Sequence, residues 1–191
     1  ILLITESWLS SSYSSSLLAD LNKFSVLRKD RLSTGGGVCA IIRAGIDFVL
    51  VDVAPEFTDL ELLTFDVFGV HTKYRFILCY RPPSSGINDL CLLTKAIDSL
   101  CTSDASVILC GDFNLPAISW TSPDINDVSD LLCSSFIDCV QENALVQYVS
   151  QATRGSNILD LVLTNDALLM SRVDVATPFS ISDHCMVDID I

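Results

Sequence analysis

Basic residues are scarce in this 191-residue sequence: 11 Lys and Arg stand against 24 Asp and Glu, a net charge of −13. So acidic a chain lacks the broad positive face that grips nucleic acid through its phosphates, although a local site that recruits a divalent cation stays open to it. Histidine is scarcer still, with His71 and His184 alone, and none of the 8 cysteines forms a CxxC pair. Together these shortages argue against a structural zinc site. Several cysteines fall inside apolar runs and read as reduced core thiols of an intracellular protein. No uninterrupted apolar run is long enough to span a bilayer, so no membrane partner is expected. Glu6 breaks the first apolar run and no basic segment precedes it, unlike a signal peptide. The Gly35-Gly-Gly37 turn lacks the lysine and Ser/Thr of a P-loop. There is no opening Met. The chain starts on Ile1-Leu-Leu-Ile4 and closes on the alternating Val187-Asp-Ile-Asp-Ile191, so both ends are expected to be cuts from something longer.

What the sequence does have is apolar substance. Half of its residues are hydrophobic and the mean hydropathy is +0.48, enough for one domain over 1–191 with a sizeable core. Strands are expected at Ile1–Ile4, Val38–Ile42, Phe48–Val53, Glu61–Val70, Arg75–Tyr80, Val107–Cys110, Leu145–Val149, Ile158–Leu163 and Cys185–Val187. Leu90, Leu93, Ile97 and Leu100 mark an amphipathic helix over Asn88–Cys101. A second helix lies within Asp130–Glu142, with Leu131, Leu132, Ser135, Phe136, Cys139 and Val140 on one side. Leu17–Phe24 suggests one or two helical turns, Ser10–Ser16 an exposed loop, and Arg28-Lys-Asp-Arg31 a solvated basic loop. Strands that mostly follow one another without intervening helices favour an α/β fold built as a two-layer β-sandwich flanked by helices.

The stretch Val107-Ile-Leu-Cys-Gly-Asp-Phe-Asn-Leu-Pro116 concentrates the chemistry. Its apolar run suits a strand buried on both faces, ended by Gly111. In extended backbone Asp112 and Asn114 project together while Phe113 turns to the core, and Pro116 stops further pairing. Glu6 stands where a strand end delivers a ligand to a crevice. The double proline after Tyr80-Arg81 forces an extended exit. Asp160 is a carboxylate in an apolar strand and needs a partner. His71 has no acid patterned around it and is assigned no role.

The pieces Thr5-Glu-Ser-Trp-Leu9, Gly35-Gly-Gly-Val38, Tyr80-Arg-Pro-Pro83, Gly111-Asp-Phe-Asn-Leu-Pro116, Leu159-Asp-Leu-Val-Leu-Thr-Asn165 and Ser182-Asp-His184, in this order, resemble the endonuclease/exonuclease/phosphatase family. The nearest resemblance is to the apurinic-type endonuclease domain of LINE-like, non-LTR retrotransposons. It implies a DNase I-like fold whose first strand, carrying an asparagine, would lie before Ile1, so that the domain is N-terminally truncated. It further implies that Glu6 binds a catalytic Mg2+ (or Mn2+) and that the Tyr80 phenol meets the scissile phosphate. Asp112 and Asn114 would orient the attacking water and the phosphate. Asp160 would orient a histidine, and Asp183 and His184 form the closing pair. Thr153, Arg154 and Asn157 would touch the DNA backbone.

The resemblance implies a metal-dependent endonuclease that nicks target DNA, leaving a 3′ hydroxyl to prime reverse transcription. DNA and a reverse transcriptase domain of the same polypeptide would be its partners, and the nucleus its place of action. Two alternatives stay open on the residues: a phosphatase or phosphodiesterase of the same fold acting on a non-DNA substrate, and a catalytically inert retrotransposon remnant or binding module.

Overall fold

A computed structural model describes residues 1–70, 72–102, 104–120 and 130–191; His71 lies outside the described residues. The elements run β1 (Leu2–Thr5), β2 (Phe24–Lys29), β3 (Val38–Arg43), β4 (Phe48–Leu50), β5 (Glu61–Phe68), β6 (Lys73–Tyr80), α1 (Ile87–Leu100), β7 (Ser106–Asp112), α2 (Leu131–Glu142), β8 (Val146–Gln147), β9 (Asp160–Thr164), β10 (Arg172–Pro178) and β11 (Cys185–Asp190). Six strands form one sheet in the order β4-β5-β6-β7-β9-β8, three form a second in the order β1-β3-β2, and β10 pairs with β11.

One parallel pair sits at the centre. β6 and β7 run side by side in the same direction, and the sequence between them supplies the crossover such a pair requires. Pro82 and Pro83 cannot extend β6, and the Gly86 N–H, at the helix N-cap, is met by the Asp89 carboxylate at 3.1 Å. α1 then buries Leu90, Leu93, Ala96, Ile97 and Leu100, an apolar stripe at helical spacing. The other strand pairings are antiparallel.

Each face of the six-stranded sheet carries its own core. On one side Leu62, Ile77, Cys79, Val107, Leu109 and Leu161 pack under α1 and α2, with Phe113 against Phe136 at 4.9 Å between ring centroids. On the other side Leu63, Phe65, Phe76, Leu78, Ile108, Cys110 and Val162 meet Val38, Ala40 and Ile42 of β3, while Val173, Val175, Val187 and Ile189 of β10 and β11 close over the same cluster. β7 is thus buried on both faces, as its unbroken apolar run requires. The result is a two-layer sandwich with helices on one outer side.

Several sequence expectations need correction. Leu17–Phe24 is not helical: a 3-10 turn covers Ser15–Leu17, and Phe24 already begins β2. Asp20 takes the Asn22 N–H on its side chain and those of Lys23 and Phe24 on its carbonyl, a turn that forestalls a helix nucleus. The basic cluster is not a free loop either. Arg28 and Lys29 belong to β2, and Arg28 pairs with Asp30 and donates to the Ser10 and Tyr13 carbonyls, pinning the serine-rich loop. Leu131 is exposed at the start of α2, whose buried face is Cys133, Phe136, Ile137, Cys139 and Val140. β10 carried no sequence expectation. It is a strand through its pairing with β11.

Candidate active site

β7 does not end at Gly111 but runs on through Asp112. At Gly111 the backbone adopts φ +135°, and a Cβ there would overlap the Cys79 carbonyl of β6. Glycine is what lets the two parallel strands close up at this level. Their register places Tyr80 of β6 opposite Asp112, and Asp112 opposite Asp160, the first residue of β9. Three neighbouring strands therefore present a row of Tyr80, Asp112 and Asp160, on the face that meets the second layer. The second layer supplies the remainder: Glu6 directly follows β1, and His184 directly precedes β11.

Hydrogen bonds close the row. His184 Nδ1 lies 2.8 Å from Asp160 Oδ2. Asn114 does not continue in extended form. It takes φ +48°, and this left-handed turn brings its N–H to Asp112 Oδ1 (3.0 Å) and its carboxamide to Asp112 Oδ2 (2.8 Å) and to the Arg81 carbonyl (2.9 Å). Phe113, fully buried, goes to the helical core. The Tyr80 hydroxyl donates to Glu6 Oε1. Asp112, Asp160 and His184 each bring one ligand-type atom within 4.8 Å of the others.

Electrostatics follow from burial and from these bonds. Burial, with the Asp160 carboxylate beside it, pushes the Asp112 carboxyl up to about 7. The Asp160 hydrogen bond and charge hold the His184 imidazole above its ordinary value, against the opposing effect of burial. Burial, then the bond to Glu6, raises the Tyr80 phenol, so Tyr80 remains a proton donor. The row therefore pairs a carboxyl poised to exchange a proton near neutrality with an imidazole biased toward its protonated form and a phenol that donates.

Residues without an assigned role hold these groups in place. Arg81, buried beside Tyr80, donates to the Phe113 and Asn114 carbonyls at 3.3 and 3.2 Å and to the Ser85 carbonyl at 2.5 Å, fixing the turn that carries Asp112 and Asn114. Its place before two prolines at the end of an apolar strand was the signal available in the sequence. Glu61 accepts from the Gly37 N–H and pairs with Arg31 at 2.5 Å, and Arg31 lies 6.0 Å from the Tyr80 ring centroid. The glycine turn in turn receives the Ser7 and Trp8 N–H groups on the Gly37 and Gly36 carbonyls, at 3.0 and 2.8 Å, which anchors Glu6. Nothing in the sequence pattern pointed to Glu61.

The other expected contacts fall differently. Thr153 is fully buried and cannot reach a DNA backbone. Its hydroxyl accepts from the Leu159 and Asp160 N–H groups and its carbonyl from Cys185 N, so it ties the Asp160 and His184 ends together. Arg154 is exposed, paired through its backbone with Asn157 and through its guanidinium with Asp183 at 2.6 Å. That ion pair holds the Asp183 carboxyl below its usual value and gives it a partner on the β8–β9 connection.

Set beside known proteins, this architecture is shared with nucleases and a phosphatase. The endonuclease domain of TRAS1, a telomere-specific non-LTR retrotransposon, superposes with TM-score 0.67 at 15% identity, over 88% of this chain and 80% of that one. An AP endonuclease from Archaeoglobus fulgidus gives 0.69 at 15% identity, over 99% and 88%. A 3′ phosphatase from Neisseria, bound to a product DNA hairpin, gives 0.72 at 15% identity, over 98% and 87%. At such identity the likeness establishes the DNase I-like fold. No curated protein matches by sequence. A family model described as endonuclease-reverse transcriptase matches residues 74–188. That match takes in Tyr80, Asp112, Asn114, Asp160 and His184 and covers more than half of the sequence, so the chain belongs to the endonuclease-reverse transcriptase family.

Proposed function

We propose that the protein is a metal-dependent endonuclease that hydrolyses DNA phosphodiester bonds. It nicks target DNA to leave a 3′ hydroxyl from which a reverse transcriptase domain of the same polypeptide, acting in the nucleus, extends. The observation that carries this reading is the contiguous row Glu6–Tyr80–Asp112–Asp160–His184 with Asn114 folded onto Asp112. It offers proton acceptors and donors together at one rim of the sandwich, the set that hydrolysis of an anionic ester by water demands.

The donor set fits a hard divalent cation. Three carboxylates and a carboxamide supply oxygen ligands, with the His184 imidazole hydrogen-bonded to Asp160. Glu6 is exposed and bound by a phenol rather than by a basic side chain, and it is the residue that would hold the ion, Mg2+ or Mn2+. When bound, the ion would neutralise charge growing on the phosphate and leaving oxygen. Asp112, titrating near neutrality, accepts the proton of the attacking water. Asn114 holds Asp112 in place through two hydrogen bonds. Asp160 fixes the His184 tautomer and favours the imidazolium, which donates to a nonbridging phosphate oxygen together with the Tyr80 phenol.

Supercoiled plasmid tests the reading. With Mg2+ the protein converts it to the open circle, a chelator stops the conversion, and a DNA polymerase extends the nicked ends without prior treatment. Release of inorganic phosphate from phosphomonoesters with no plasmid nicking would replace this reading with the phosphatase one.

A further inference from the structure

The acidic balance raises a question that the catalytic row does not answer: what holds a polyanion on this surface? The basic groups near the row are engaged. Arg31 is paired with Glu61, Arg154 with Asp183, and Arg81 is buried on backbone carbonyls. Two other residues lie on the segments that carry the two ends of the row, at Glu6 and at His184. Among the described residues the exposed aromatics are Trp8, Tyr13, Phe68 and Phe179, and the most exposed are Phe179 at 73% and Trp8 at 64%. These two are also the ones close in sequence to row residues, Trp8 two residues after Glu6 and Phe179 five before His184.

Neither ring belongs to a core cluster, yet both backbones are held. Trp8 takes φ +53°, its N–H bonds the Gly36 carbonyl at 2.8 Å, and its ring lies over Gly35. The Phe179 carbonyl accepts the Ser182 N–H at 3.1 Å across a turn in which Ser180 takes φ +55°, and the Ser182 hydroxyl accepts the His184 N–H at 3.0 Å. Aromatic rings carried on hydrogen-bonded turns and left to solvent are what base stacking uses, and each stacked base contributes about 1–3 kcal/mol of its own beside any phosphate contact. A base paired inside a duplex keeps its faces covered by its neighbours, whereas an unpaired base offers them.

We propose that Trp8 and Phe179 are base-stacking positions flanking the catalytic row, and that the protein takes DNA whose bases are unpaired at the cleavage point in preference to intact duplex. This rests on the nuclease reading for the reaction, but not for the binding.

The test pairs binding with cleavage. Trp120, the other tryptophan, is partly buried edge-on against Phe136 at 6.4 Å, so exposed tryptophan fluorescence reports on Trp8. Single-stranded oligothymidylate quenches it more than a duplex of equal length does, and Trp8→Leu abolishes the quench. In cleavage of single-stranded DNA, Trp8→Ala and Phe179→Ala each raise KM about tenfold, while Trp8→Phe and Phe179→Tyr restore it. Tyr13→Ala and Phe68→Ala, at the exposed aromatics away from the row, leave KM where it was. Thermal unfolding of each variant separates misfolding from lost stacking. No quench by oligothymidylate, an equal or stronger quench by duplex, or an unchanged KM in both alanine variants overturns the proposal. A quench without cleavage of any DNA supports stacking and overturns the nuclease reading instead.

Discussion

A single carboxyl, Asp112, sets how the row responds to pH. Its folded value of about 7 lies above the ordinary 3.8. Between these limits the folded chain keeps a proton that the unfolded chain has released. The stabilisation this gives is fully present below about pH 4 and is lost as pH rises through about 7. Asp112→Asn is therefore expected to flatten the stability profile over that window, read as the thermal midpoint against pH in chelator-treated protein; an unchanged slope would place the proton elsewhere. The same variant lowers kcat for nicking by about 10²–10⁴-fold, the usual contribution of a positioned base. Tyr80→Phe removes a donor and leaves Glu6 without its phenol, so nicking falls while the fold, which packs the ring, persists by circular dichroism.

At the level of elements, the closeness of β6 and β7 decides whether the row exists. Gly111→Ala places a methyl group against the Cys79 carbonyl in a left-handed backbone. We expect a loss of more than about 3 kcal/mol in denaturant unfolding, and a variant of near-normal stability would show that the strands have slack. The opposite end of β6 is tied to β5 by charge. Asp66 of β5 binds Arg75 of β6 at 2.8 and 2.9 Å, and Arg75 also donates to the Leu100 carbonyl at the end of α1 at 3.1 Å. Burial pushes the Asp66 carboxyl up, but Arg75 and Lys73 outweigh it and hold it below its usual 3.8. This contribution to stability is present above about pH 4 and lost as pH falls through the lower folded value. Arg75→Ala leaves the buried Asp66 carboxylate with Lys73, at 3.3 Å, as its remaining cation, and costs less than the about 3–5 kcal/mol of a fully orphaned buried charge at pH 7. The difference from wild type should shrink below pH 4, and a difference that stays constant with pH would deny Asp66 this role.

Much of this was legible beforehand because it is local. The apolar run of β7, the stripe of α1 and the strand before Pro82-Pro83 each declare themselves within a few residues. So do the polar groups at strand ends, Glu6, Asp112 and Asp160. What could not be read was long-range. Arg28 looked like a solvated cation until its carbonyl partners at Ser10 and Tyr13 came into view, and Thr153 looked like a surface contact until β9 and β11 closed around it. Asn114 reaches Asp112 by curling to positive φ, where alternation along an extended strand had suggested the same meeting by a different geometry. β2 and β10 became strands only through the partners they found.

Across the whole molecule, two layers converge on one rim. The six-stranded sheet supplies Tyr80, Asp112 and Asp160, and the second layer supplies Glu6 and His184, so the row depends on the layers staying docked rather than on any single element. If these residues act as one unit, their removal cannot be additive. The most direct measurement is kcat/KM for plasmid nicking by wild type, Asp112→Asn, His184→Ala and the double variant, all shown to be folded. Either single substitution is expected to cost nearly as much as both together. Losses that multiply in the double variant, or nicking that survives in either single one, would contradict it.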